Sequence, residues 1–215
     1  MLDIQRINGI KETLDSLKLT LYPRTNDQLI IIGASRVFRA SRFTVEFLEP
    51  FWMVKDFNTA LKLVAKHFKM SEDEVLSTLD ALLQDLIHLV KNELDAVKNK
   101  TIKEFNMNTT HLDYPVMAEI ALTDRCNNRC KFCFWGVGEI RKPTTELTTE
   151  QVKMLIRKVW FQAKAPSLHF TGGEPTLRPD LPELIAYARN IGFRVILLTN
   201  GRLLKRKEFA EQLIN

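Results

Sequence analysis

All three cysteines of this 215-residue chain fall in one eight-residue stretch, Cys126-Asn127-Asn128-Arg129-Cys130-Lys131-Phe132-Cys133, spaced Cys-x3-Cys-x2-Cys. A disulfide framework needs an even number of thiols. A structural zinc closes its coordination with four ligands, and His169 is the residue that would complete a Cys3His set. Three thiolates without a fourth partner better suit a cubic iron–sulfur cluster, in which the protein holds three irons and leaves one open.

A second stretch lies downstream, Thr171-Gly172-Gly173-Glu174-Pro175. Taken together, the cysteine spacing, the aromatic Phe132 before the last cysteine and the Gly-Gly-Glu-Pro run resemble the radical S-adenosylmethionine superfamily. The resemblance implies a [4Fe-4S] cluster on Cys126, Cys130 and Cys133, with S-adenosylmethionine on the open iron. It implies that Gly172, Gly173, Glu174 and Pro175 form the nucleotide-binding motif. Glu174 is then expected to accept a hydrogen bond from the methionine ammonium, and the two glycines to let the backbone approach the ligand. Phe132 is expected near the adenine and Asn200 near the methionine or ribose, with Thr199-Asn200-Gly201 otherwise only a turn. Reductive cleavage of the nucleotide to a 5′-deoxyadenosyl radical is the implied chemistry. No catalytic residue beyond these is identified, and Trp135 is read as packing.

The elements around these residues alternate between strand and helix. Val116 to Leu122 reads as a buried strand leading into the cysteine loop. Thr148-x-x-Gln151 opens a helix, Leu168 to Thr171 is a strand ending in Gly172-Gly173, and Asp180-x-x-Glu183 opens another helix. Phe193 to Thr199 is a further strand, and a last helix begins near Lys205. Such alternation predicts a parallel sheet with right-handed crossovers. Its strand ends bring the three motifs to one face, as in barrel-like α/β enzymes. The fold class expected for residues 115–215 is the first half of a partial (β/α)6 TIM-like barrel. Three strand–helix units stand where the resemblance implies six, so the sequence reads as the amino-terminal portion of a longer enzyme, or as a relic barrel.

The front of the chain is of another kind. Residues 1–20 form a weakly periodic helical extension. Leu29 to Ile32 and Val37 to Ala40 predict a hairpin across Gly33-Ala34-Ser35-Arg36. Phe43 to Leu48 predicts a short helix closed by Pro50, and Asn58 to Phe68 a second helix. Ser71-x-x-Glu74 is a capping box before a long helix with Val75, Leu79, Leu82, Leu83, Leu86, Ile87, Val90 and Leu94 at helical spacing. Hairpin plus three helices over residues 21–94 describes a winged-helix-like α+β domain. It resembles the peptide-recognition domain, similar in plan to the pyrroloquinoline quinone chaperone, that precedes many radical enzymes acting on ribosomally made peptides. The resemblance implies a precursor-peptide leader added as a strand near Val37, Phe38, Arg39 and Ala40, and lying against the helix Glu72 to Val90. Residues 95–114 lose the helical period and read as a linker.

Composition sets the outer limits. Hydrophobic residues are 45% and charged residues 27%, a globular balance. The net charge of +5 is modest, and the third helix of the front domain begins acidic, which disfavours nucleic acid as a partner. No apolar run approaches the ~18 residues of a membrane span. No secretory signal is recognisable at the start, and thiolate-held clusters need a reduced compartment, so the expected location is cytoplasmic. An electron donor such as flavodoxin or ferredoxin is the other implied partner. Two alternative readings stand beside the peptide-modifying enzyme: a radical enzyme on a non-peptide substrate, and a non-catalytic leader-peptide binder.

Overall fold

The computed structural model describes residues 4–33, 36–105, 112–134 and 145–214. The chain divides into two compact units, Met1–Asp113 and Tyr114–Asn215. Both mix helix and strand.

In the first unit, α1 (Ile4–Lys18) is followed by β1 (Leu21–Arg24), β2 (Leu29–Ile32) and β3 (Arg36–Arg39). The expected hairpin is β2–β3, antiparallel with Ile31 opposite Val37 and Ile30 opposite Phe38. Ala34 and Ser35 of its turn lie outside the described residues. β1 was not anticipated, because Pro23 in its middle argues against a strand. The strand forms at the sheet border, where a missing N–H costs no ladder bond, and the Trp52 indole N–H donates to Leu21 O at 2.7 Å.

Three helices follow: α2 (Arg42–Met53), α3 (Phe57–Phe68) and α4 (Glu72–Lys91). Pro50 does not close α2, which runs on to Met53. A proline inside a helix costs ~3 kcal/mol, and burial of Phe47, Leu48 and Phe51 on this helix opposes that cost. The capping box of α4 is present, with Ser71 and Glu74 exchanging side-chain-to-backbone bonds. Val75, Leu79, Leu83 and Leu86 from α4 join Phe38, Val45 and Phe47 in one core.

The amino-terminal extension and the polar segment after α4 both belong to this unit. Ile10, Leu14 and Leu17 of α1 are buried in the same core, and α1 packs on α4. The segment read as a linker folds back as well. Asp85, 5% exposed, accepts the backbone N–H of Lys98 at 2.7 Å and of Asn99 at 2.9 Å, and Val97 is buried. The segment then adds β4 (Lys103–Glu104) to the sheet, giving the order β1-β2-β3-β4. The edge at Val37 to Arg39, expected to be open, is therefore paired with the chain's own backbone. Periodicity missed this because a segment held by one buried carboxylate and two strand residues needs no apolar repeat.

The second unit contains β5 (Met117–Ala121), α5 (Thr149–Lys158), β6 (Ser167–Thr171), α6 (Leu181–Ile191), β7 (Arg194–Leu197) and α7 (Lys207–Ile214). Its sheet is parallel, ordered β5-β6-β7, with Ile120 beside Phe170 and Phe170 beside Leu197. Alternation along the strands puts Ile120, Leu122, Leu168 and Phe170 on the buried face. Glu119 and His169 stand side by side on the other face. Asp180 precedes α6 without capping it by its side chain. Its carboxylate is drawn instead to Arg178 (2.6 and 2.9 Å) and the Thr149 hydroxyl (2.7 Å). No described helix is long and apolar enough to cross a membrane.

Candidate functional site

The parallel strands deliver their loops to one end of the sheet. From β5 comes the cysteine loop, from β6 the Gly-Gly-Glu-Pro turn, and from β7 the Thr199-Asn200-Gly201 turn. Gly173 N–H donates to Thr123 O at 2.7 Å and Glu174 N–H to Arg125 O at 2.8 Å. The turn after β6 thus continues the sheet pairing up to the residue before Cys126.

This pairing explains both glycines. A Cβ on Gly172 would lie 2.3 Å from Thr123 O, and Gly172 has φ +131°. A Cβ on Gly173 would lie 2.3 Å from Arg125 O. The close backbone approach expected toward a ligand is here an approach to the root of the cysteine loop. No side chain fits between the two turns.

Glu174 is wholly buried. Its Oε1 accepts from the Thr176 N–H (3.0 Å), the Thr176 hydroxyl and the Thr199 hydroxyl (2.6 Å), and its Oε2 from the Asn200 N–H (2.8 Å). Burial pushes the carboxyl upward, but these hydrogen bonds outweigh it and hold Glu174 below the usual carboxylate range. The side chain thereby fastens the β6 turn to the β7 turn. Pro175 is buried and opens a single 3-10 turn, Pro175–Leu177.

Asn200 reaches into the cysteine loop. Its amide donates to Asn127 Oδ1 at 2.8 Å, and the Arg202 guanidinium donates to Asn127 O at 3.1 Å. Asn127 follows the first cysteine directly, so the β7 turn fastens the loop from its far side.

A second set of ties closes the loop's return. Arg125 holds Glu146 through two bonds, of 2.8 and 3.1 Å, and the Thr123 hydroxyl donates to the same carboxylate. Arg178, 5% exposed, donates to Leu122 O (3.1 Å) and Leu147 O (2.9 Å). The Arg125 bonds, foremost, hold Glu146 below its ordinary range, and Arg178 does the same to Asp180. Sequence reasoning missed Thr123, Arg125, Asn127, Glu146 and Arg178. Their partners lie far off in sequence, as Arg178 to Leu122 and Arg125 to Glu146 do, so no local pattern marks them.

Of the expected cluster ligands, Cys126 and Cys133 are half-buried, Cys130 is exposed, and none forms a disulfide. Cys133 N–H donates to Cys130 O at 3.2 Å, making a tight turn between them. Among the described residues, no three His, Cys, Asp or Glu side chains are gathered as a metal site, and His169 is not brought to the cysteines. The donor set nevertheless fits an iron–sulfur cluster with one open iron: three thiols on a single loop, rooted at Arg125 and braced at Asn127. Phe132, expected near the adenine, is 91% exposed on this loop. Trp135 lies outside the described residues.

Comparison with known proteins agrees with the motifs. Residues 120–215 match the family model described as Radical SAM superfamily. The matched segment contains Cys126, Cys130, Cys133 and Gly172 to Pro175, so this part of the chain resembles that superfamily. The chain is 36% identical over 121 residues to 7,8-dihydro-6-hydroxymethylpterin dimethyltransferase of Methanocaldococcus jannaschii, covering 54% of this chain and 23% of that protein. It is 34% identical over 97 residues to PqqA peptide cyclase of Bradyrhizobium diazoefficiens, covering 45% and 25%. Among solved structures, Streptococcus suis SuiB bound to precursor peptide SuiA aligns with 90% of this chain and 43% of its own, with a TM-score of 0.49 and 15% identity. The chain thus spans about a quarter of the length of these two curated relatives.

Proposed function

We propose that this chain provides the cluster-holding part of a radical S-adenosylmethionine enzyme that modifies a ribosomally made precursor peptide. The observation that carries the reading is the fastening of three separate turns into one platform: Gly173 and Glu174 on Thr123 and Arg125, and Asn200 on Asn127. Cys126, Cys130 and Cys133 would hold the cluster. Phe132, Gly172, Gly173, Glu174, Pro175 and Asn200 would border the nucleotide, and Glu174 would also keep the turns together. Such a cluster would supply the chemistry of reductive cleavage, one electron from an external donor splitting S-adenosylmethionine into methionine and a hydrogen-abstracting 5′-deoxyadenosyl radical. The chain's own part is to fix the loop, through the buried Glu174 carboxylate and the Arg125–Glu146 and Asn200–Asn127 ties.

Two features support a peptide as substrate. PqqA peptide cyclase is among the similar proteins, and the first unit presents a small antiparallel sheet whose β3 border accepts strand pairing. Strand addition draws affinity from backbone hydrogen bonds and selectivity from side-chain pockets. Similarity to the pterin dimethyltransferase favours the second reading, a radical enzyme on a small non-peptide substrate with the first unit purely structural.

The test is anaerobic incubation of the chain, with any further part of its enzyme, with S-adenosylmethionine, reductant and candidate precursor peptides. A peptide mass change that disappears in Cys130→Ala, with peptide binding retained, is the expected result. Binding without any modification favours a non-catalytic binder. Modification of a small molecule with no peptide bound favours the second reading.

A further inference from the structure

The sheet of the first unit has two borders, and they are closed in different ways. At β1, Pro23 has no N–H to offer and Leu21 O is taken by Trp52 at 2.7 Å. The next residue, Thr25, directs its N–H to the Glu49 carboxylate at 3.4 Å. Side chains and a proline therefore guard that border against another strand.

At β3 the cover is backbone. β4 pairs Glu104 with Phe38 and Lys103 with Arg39, and Phe105 N–H donates to Val37 O at 2.8 Å. The cover is short: β4 has two residues, both exposed. Its chief side-chain anchor is Phe105, 8% exposed, whose ring lies 5.3 Å from the Arg39 guanidinium and borders a pocket with Leu29. Upstream, the segment is firmly held by Asp85 at Lys98 and Asn99. Lys103 to Phe105 can therefore leave the sheet without releasing that anchor. β3 itself stays in place, because Arg36 caps the end of α4 through Leu89 O (3.1 Å) and Val90 O (3.0 Å).

We infer, on the reading that the β3 border receives a precursor peptide, that Lys103–Phe105 is a built-in place-holder that such a peptide displaces. The incoming peptide is an extended segment carrying an aromatic or large aliphatic residue where Phe105 sits. A competitor within the same chain lowers apparent affinity by the fraction of time the border is open.

The probe is a fluorescein-labelled synthetic peptide copying residues 98–110, with a second version carrying proline in place of Phe105. Binding is read by anisotropy on the whole chain and on Phe105→Ala, whose folding is checked by circular dichroism. With the border closed about nine-tenths of the time, Phe105→Ala binds the probe about tenfold more tightly than the parent. The proline version binds neither, and bound probe protects the amides of Val37 to Arg39 from hydrogen exchange. Equal affinity for the parent and a folded Phe105→Ala, or protection confined to amides elsewhere, overturns the place-holder. Failure of the peptide-substrate reading has a different signature: the copied segment still exchanges into the border, while displayed random 20-residue peptides fail to compete with it.

Discussion

The buried carboxylate of Glu174 accepts the backbone N–H of Asn200 at 2.8 Å, so the turn after β6 is bound to the turn after β7. The same two residues reach the cysteine loop, Glu174 through its own N–H to Arg125 O and Asn200 through its amide to Asn127. Three loops contributed by three strands thus become one object, and the thiols inherit their position from it.

Replacing Glu174 by Gln sets an amide N–H₂ against donors that now meet carboxylate oxygen. Leaving buried hydrogen-bonding groups unsatisfied costs ~1–3 kcal/mol, more where a charge took part. Glu174→Gln is expected to lower stability by ~3 kcal/mol, read from urea midpoints, and to reduce the iron retained after reconstitution. An unchanged midpoint would mean that the carboxylate does not tie the turns.

The two glycines meet backbone, which cannot swing aside as a side chain does. Gly172→Ala and Gly173→Ala each place a methyl 2.3 Å from a carbonyl oxygen, and each is expected to cost ~3 kcal/mol or more. Gly9→Ala, in α1 with nothing within 4 Å, is the control and is expected to be neutral or stabilising by up to ~1 kcal/mol. Thermal melts of the three variants decide the matter, and equal melting temperatures would contradict it.

Acid sensitivity follows from the depressed carboxyls of Glu174, Glu146 and Asp180. A folded-state value below the unfolded one, ~4.3 for Glu and ~3.9 for Asp, stabilises the fold above the unfolded value. That contribution is lost as pH falls from there through the folded value. Urea midpoints should therefore hold steady from pH 7 to ~5 and drop below ~4.3. The drop should be shallower in Glu146→Gln, and an identical slope in parent and variant would count against the assignment.

Much of the architecture was legible in the sequence because local rules agreed with the tertiary result. The Ser71–Glu74 capping box and the Leu stripe of α4 lie within one helix, and the strands before Cys126 and Gly172 alternate, with Glu119 and His169 set between the buried Ile120, Leu168 and Phe170. The illegible parts depend on partners distant in sequence. The Arg178 interactions span 56 residues to Leu122 and 31 to Leu147, and nothing local marks that arginine. The Lys103–Glu104 strand carries no β-forming residue and exists because β3 offers it a ladder. Glu174 was found by its motif, but a motif gives the residue type and not the direction of its carboxylate. Pro50 misled because the rule against helical proline yields to burial of the aromatics around it.

The central claim is that the platform made by Thr123, Arg125, Gly173, Glu174 and Asn200 holds a cluster on Cys126, Cys130 and Cys133 beside a nucleotide site. Anaerobic reconstitution with iron and sulfide, followed by EPR of the reduced protein with and without S-adenosylmethionine, tests it most directly. The expected result is a [4Fe-4S] signal that changes on adding the nucleotide and is lost in Cys130→Ala. Zinc bound in place of iron, or a cluster signal indifferent to the nucleotide, would contradict it.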